Sequence, residues 1–213
     1  MHTLDHLLWE EWTLEEGERR FAQLTGVTPV LGGKHAEGGT QNSLLALGEG
    51  AYFEILAPDH AHSAFTHLPE EPPAAFTPSL MTFGFKTADT EVTKKLIEEA
   101  GLESKVHRVA RASPRGEELE WESILVEGHD FAHFIPFFTR QLKGEHPSKA
   151  APKGCELLEL SIEHPNSKAL QAIYDALQVN LRVVEAEVAR VTAVLATPKG
   201  RVTLDNAVGV RST

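Results

Sequence analysis

Three times along the chain a strand-like apolar run passes directly into an amphipathic, helix-like one. LDHLLWEEW leads into TLEEGERRFAQLTG, SLMTFGFKT into ADTEVTKKLIEEAG, and CELLELSIE into HPNSKALQAIYDALQ. Leu4, Leu80 and Leu157 mark equivalent places about 76 residues apart, a period that points to internal duplication or triplication. Within each helix the apolar residues recur at three- and four-residue steps, as in Leu14, Phe21 and Leu24 or Leu170, Ile173 and Leu177, so each has one face to bury. Thr13, Asp89 and Asn166 stand before the helices as N-caps, and Gly26 and Gly101 follow the first two as C-caps.

Further strands follow the first two helices. In the first unit they are Val27 to Val30, Ser43 to Leu47 and Tyr52 to Leu56, the last two joined by a GEG turn. In the second they are Val106 to Ala112, Leu119 to Val126 and Phe131 to Phe138, the first two joined around SPRG. The third unit continues with Val183 to Leu195, a TPKG turn and Val202 to Leu204, and reads as one strand short. PEEPPAAFTP and KGEHPSKAAPKG have the composition of linkers. The predicted class is α+β: repeated βαβββ modules, with helices on one face of a mixed sheet and an incomplete third module.

Net charge narrows the partners. At -11, with no local cluster of Lys and Arg, the chain repels phosphate backbones, which excludes nucleic acid. The amino terminus lacks a signal-peptide pattern and no segment has the apolar length of a membrane span, so a soluble, cytoplasmic chain with no membrane contact is expected. A single cysteine, Cys155, excludes an internal disulfide and a thiolate-rich zinc site, and reads as a small apolar residue. No P-loop, dinucleotide fingerprint, nucleophile elbow or HExxH helix occurs.

The stretch GGKHAEGGTQN, residues 32 to 42, is the first candidate site. Its four glycines let backbone approach a ligand closely, and Thr40 and Asn42 enter the next strand on alternate positions. Asn42 can donate and accept at once, fixing a substrate carbonyl or hydroxyl, and His35 can act as acid or base if the segment forms a rim or lid. Glu54 stands in the apolar run Tyr52 to Leu56, where alternation allows either a buried carboxylate facing a cavity or a solvent-facing one. His6 shares a strand face with Leu8 and Glu10, and is either a functional imidazole or a hydrogen-bonded structural one; His133, in its apolar run, has the same two readings. Trp9 is a core residue or the floor of a cavity. Asp59, His60, His62 and His67 read as a solvated loop.

The module order resembles the vicinal oxygen chelate superfamily, in which two such units form a cup-shaped sheet around a metal or ligand. LDHLLWE, TGVTPVLGGKHAEGGTQNSLLALGEGAYFEILAPD and IPFF are similar to the glyoxalase-like domain proteins of that superfamily. The resemblance implies a single glyoxalase-like domain over residues 1–213, with module one at about 1–60, module two at about 78–140 and a partial module three at about 155–213. It implies metal ligands on the first and last strands of each unit: His6, Glu54 and, when AYFEIL is set beside DFAHFI, His133. The remaining position falls near Met81, which is no hard ligand, a departure from the four-ligand pattern of glyoxalase I. Such a set suits a divalent ion, Zn, Fe, Mn or Ni.

The resulting expectation is a metal-dependent enzyme acting on a small oxygen-rich metabolite, of isomerase, lyase or dioxygenase type. Glu54 and His35 would be catalytic, and Thr40, Asn42 and Trp9 would bind substrate. The alternative is a metal-free binder that sequesters a small molecule in the same cup. A third reading has the edge of the last unit pairing with another chain, as in a homodimer.

Overall fold

Strand β1 (Thr3–Glu10) lies at the centre of the molecule, in a computed structural model that describes residues 2–35, 38–69, 71–112, 116–206 and 210–212. Module one adds α1 (Leu14–Thr25), β2 (Val30–His35), β3 (Thr40–Ala46) and β4 (Tyr52–Pro58). Module two comprises β5 (Ser79–Lys86), α2 (Thr90–Glu99), β6 (Glu103–Ala112), β7 (Glu118–Glu127) and β8 (Phe137–Lys143). The two share one eight-stranded sheet in the order β2-β3-β4-β1-β5-β8-β7-β6, so each module's first strand stands at the centre and pairs antiparallel with the other's. The sheet curls until its outer strands approach each other: Arg111 of β6 donates to the carbonyl of Gly32 in β2. Residues 113–115, within the SPRG connection, lie outside the described residues.

Alternation along the strands divides the two sheet faces. Leu7 and Trp9 of β1, Phe53 and Ile55 of β4, Phe83 and Phe85 of β5, Ile124 of β7 and Phe138 of β8 belong to one large core with Phe21 of α1 and Ile97 of α2. Full burial of a phenylalanine contributes about 1.5–3 kcal/mol, so this convex face carries most of the fold's stability. The third unit completes its cover. It consists of β9 (Glu156–His164), α4 (Ser167–Ala176), β10 (Val183–Glu185), β11 (Arg190–Thr197), β12 (Gly200–Asp205) and β13 (Val210–Ser212). Its strands form a separate five-stranded sheet, in the order β10-β9-β11-β12-β13, rather than extending the curled one. Val191, Ala193, Leu195, Val202 and Leu204 join the main core, and the Tyr174 hydroxyl donates to the Phe134 carbonyl.

Several local expectations are corrected. The run expected as one strand from Phe131 to Phe138 is split: Ala132–Phe134 is a 3-10 turn and β8 starts only after Pro136, which has no N–H to give a ladder. Val183 to Leu195 is two strands rather than one. Thr13 and Asp89 cap their helices as expected, whereas the Asn166 side chain makes no capping bond. The segment read as a polar linker, KGEHPSKAAPKG, contains the short helix α3 (Pro147–Ala150) and forms a strap over module one's concave face. Ala151 packs with Leu44, Ala46 and Tyr52, and Pro152 accepts a bond from the Ala46 amide at 2.9 Å. Among the described residues no helix is long and apolar enough to cross a membrane.

Helix α1 is seated on β4 through Gly17. A methyl group there would meet the Ile55 Cγ2 at 2.5 Å and the Glu11 Cγ at 2.8 Å. Glu11 tolerates its burial because the Trp9 indole donates to it at 3.1 Å and Arg20 Nε at 2.7 Å. Gly17→Ala, although favourable for helix propensity, is therefore expected to destabilise the protein by about 1–3 kcal/mol through overpacking, read as a lower urea midpoint. An unchanged midpoint would mean that the helix slides freely on the sheet.

Candidate functional site

With the convex face filled, the concave face is left to the polar residues that alternate with the core. Parallel pairing of β1 with β4 sets His6 beside Tyr52 and Leu8 beside Glu54, and antiparallel pairing of β3 with β4 brings Leu44 beside Glu54 and Asn42 beside Leu56. His6, Glu54 and Asn42 thus meet in the cup. Glu54 is only 5% exposed; its Oε1 accepts from Asn42 Nδ2 at 2.7 Å, and its Oε2 stands 3.6 Å from His6 Nε2. The structure brings together the two residues on which a shared cavity depends.

A second carboxylate orients the imidazole. A bulge in β1 between Leu4 and His6 turns Asp5 to its neighbour, and His6 Nδ1 lies 2.7 Å from Asp5 Oδ1. With the proton on Nδ1 donated to Asp5, the lone pair on Nε2 faces Glu54. The other Asp5 oxygen meets His146 Nε2 of the strap at 3.1 Å. Burial works to raise the Asp5 carboxyl, but the bonds and charges of His146 and His6 outweigh it and hold the group well below the usual carboxylate range. Tyr52 stacks on His6 with centroids 4.6 Å apart, and Phe137 meets the same ring edge-on at 5.2 Å. Burial, followed by the charges of Glu54 and Asp5, pushes the Tyr52 phenol well above its ordinary value.

The profile of the glyoxalase-like domain matches residues 4–178. The chain belongs to the glyoxalase-like domain family. Its two paired modules have the βαβββ order that the sequence predicts. No curated protein matches the sequence. Among solved structures, a hypothetical protein from Staphylococcus aureus is similar over 89% of this chain and 88% of its own, with a TM-score of 0.68 at 14% identity. Methylmalonyl-CoA epimerase from Mycobacterium tuberculosis is similar over 67% of this chain and 88% of its own, with a TM-score of 0.43 at 14% identity.

The rest of this glyoxalase-like site departs from the expected ligand set. His133 lies on the 3-10 turn, with its Nε2 2.9 Å from the Asn206 amide just after β12; the residue of β8 beside His6 is Phe137. The alignment of His133 opposite Glu54 is corrected by the later start of β8. Trp9 is also corrected: it is fully buried on the convex face, 5.4 Å from Phe21 and 6.5 Å from Phe53 by ring centroids, rather than on the floor of the cup. Among the described residues no three His, Cys, Asp or Glu are grouped to hold a metal ion. His6 and Glu54 supply two donors, while a catalytic zinc centre takes three from the protein, so the residues present do not complete the expected divalent-metal site.

On either side of residues 36 and 37, which lie outside the described residues, the glycine-rich stretch forms paired strands: Gly33 pairs with Asn42, Lys34 with Gln41 and His35 with Thr40. His35 Nδ1 lies 2.8 Å from Thr40 Oγ1, so these two satisfy each other at the rim. Burial lowers the pKa of His35; Glu54 opposes this, while Arg111 and His6 add to it. Sequence reading missed Asp5, His146 and Arg111. A DH pair on a strand normally splits between faces, and only the bulge unites it. Arg111 could have been found from alternation in β6, which gives it a face in common with Val109 and His107, but its approach to β2 depends on the curl of the whole sheet.

Proposed function

We propose that the cup of this glyoxalase-like protein binds a small oxygen-bearing metabolite and that Glu54 takes and returns a proton on a carbon beside its carbonyl. The observation that carries this reading is the buried Glu54 carboxylate, with one oxygen fixed by Asn42 at 2.7 Å and the other facing His6 Nε2 at 3.6 Å. A base must be aimed and within reach of the proton it moves, and Asn42 supplies the aim. His6, oriented by Asp5, can accept the proton from Glu54 and return it. The apolar walls, Leu8, Leu44 and Phe137, keep bulk water from competing for it. With His6 and Glu54 as the two metal donors that meet in the cup among the described residues, the proton is assigned to protein groups.

The test is hydrogen exchange at carbon. The protein is incubated in D2O with a panel of small 2-oxo and 2-hydroxy carboxylates, with EDTA in one arm and added Zn2+, Mn2+, Fe2+ or Ni2+ in the other, and followed by proton NMR. Catalysed loss of a C–H signal in the EDTA arm is the expected result. Exchange confined to one metal arm would move the chemistry onto that ion, and none in either arm would leave the cup as a binding site only.

A further inference from the structure

Two side chains that approach the Gly32–Gly33 backbone, Asn42 and Arg111, each keep a buried polar atom without a hydrogen-bond partner. The Asn42 side chain, 3% exposed, uses its Nδ2 on Glu54, and its carboxamide oxygen has no hydrogen-bond partner. That oxygen lies over the bare Cα of Gly32, where a side chain would collide with it. On the other side, Arg111 donates to the Gly32 carbonyl through Nη1, while its buried Nε–H is without an acceptor. Its guanidinium lies 5.8 Å from the centroid of the Trp121 ring. Among the described residues no carboxylate stands within ion-pair distance of Arg111, although the chain as a whole carries a net charge of -11. A half-buried guanidinium with a free N–H and no bonded carboxylate, on which Glu54 acts through its charge alone, is completed by an anion, and a buried carbonyl oxygen with nothing to accept is completed by an O–H or N–H.

We propose that Arg111 and Asn42 form the recognition subsite of the cup, and that its ligand is a small carboxylate bearing a hydroxyl on the adjacent carbon. Arg111 takes the carboxylate and the Asn42 oxygen accepts from the hydroxyl. A 2-hydroxycarboxylate presents this pair, and so does the enol of a 2-oxo acid, which forms when a base removes the proton beside the carbonyl and the enolate oxygen takes one up from an acid or from water. The inference rests on the reading of Glu54 as that base and names the substrate class it acts on. The positive charge of Arg111 also offsets the repulsion between Glu54 and a second carboxylate in the same cup. Gly32 and Gly33 then have a common purpose: a side chain at the first would displace the Asn42 oxygen, and one at the second would meet Arg111 Nη1 at 2.5 Å.

The test uses glycolate, acetate and methyl glycolate as probes, which respectively present both groups, the carboxylate alone and the hydroxyl alone. In a 15N-labelled sample the Arg111 Nε–H resonance is identified by its loss in Arg111→Lys. Glycolate is expected to shift it with a dissociation constant of about millimolar order, as suits a ligand of so few atoms. Acetate is expected to bind about tenfold more weakly, and methyl glycolate to leave the resonance in place. Arg111→Lys should lower glycolate affinity at least about tenfold, because the ammonium lacks the planar fork. If that variant does not fold, the backbone amides of Gly32 and Gly33 in the natural protein report the same comparison. No shift with glycolate, or equal shifts with glycolate and its methyl ester, would make Arg111 a clasp between strand edges and overturn the subsite. Glycolate binding to Glu54→Gln separates the two claims: an unchanged Arg111 shift with proton exchange also unchanged would end the role of Glu54 and leave the subsite intact.

Discussion

Glu54→Gln is expected to slow proton exchange by about 10²–10⁴-fold while leaving KM within a few-fold and the thermal midpoint nearly unchanged. The substitution keeps shape and removes the base. A glutamine Oε1 can still accept from Asn42 Nδ2, now 2.7 Å from the carboxylate, and its amide can donate to the His6 Nε2 that faces Glu54 at 3.6 Å. Both contacts of the position-54 side chain are therefore kept, and no further group is orphaned. What disappears is the capacity to take a proton. The result reads cleanly because Phe53 and Ile55, on the opposite side of the same strand, hold the fold and are untouched. A rate that survives in a folded Glu54→Gln protein would transfer the chemistry to another group, with His35 the nearest alternative at the rim.

The parts of this arrangement that could be read from sequence are those governed by the period of a strand. Alternation sets Tyr52 and Glu54 opposite Phe53 and Ile55, and His6 opposite Leu7 and Trp9, so once the repeats are recognised a shared cavity follows for His6, Asn42 and Glu54. The same rule separates Trp9 from His6. Departures from periodicity hid the remainder. The bulge at Asp5 adds a residue to the concave face that alternation would remove from it. Pro136 ends a run that hydropathy alone extends through Phe138, and the shift of β8 takes His133 out of the sheet. His146 lies in a segment with the composition of a linker, yet it reaches Asp5 because Ala151 has an apolar surface to cover. Arg111 and Gly32 are 79 residues apart and meet only when eight strands curl together, a contact that no local pattern encodes.

Asp5→Asn is expected to cost about 2–3 kcal/mol of stability at pH 7 and clearly less, though not nothing, at pH 2. Asparagine can keep the contact with His6, accepting from its Nδ1, but not the one with His146, whose Nδ1 accepts from the Ser148 amide so that its Nε2–H needs an acceptor; the pH dependence of the loss, rather than its size at one pH, therefore isolates the charge. In the folded protein the Asp5 carboxyl is held well below its unfolded value, because the bonds and charges of His146 and His6 overcome the opposing effect of burial. A depressed carboxyl binds its proton more readily in the unfolded chain, so its contribution is complete above the unfolded pKa of about 4 and is lost as the pH falls below it. The natural protein should accordingly weaken more steeply than Asp5→Asn below about pH 4, so that the gap between them narrows steadily down to pH 2, where part of it remains because the folded-state carboxyl is still ionised. Urea unfolding at pH 7, 5, 3 and 2 measures the difference directly. Parallel curves, with a constant gap at every pH, would mean that Asp5 acts through shape alone and that its charge does not hold the strap to β1.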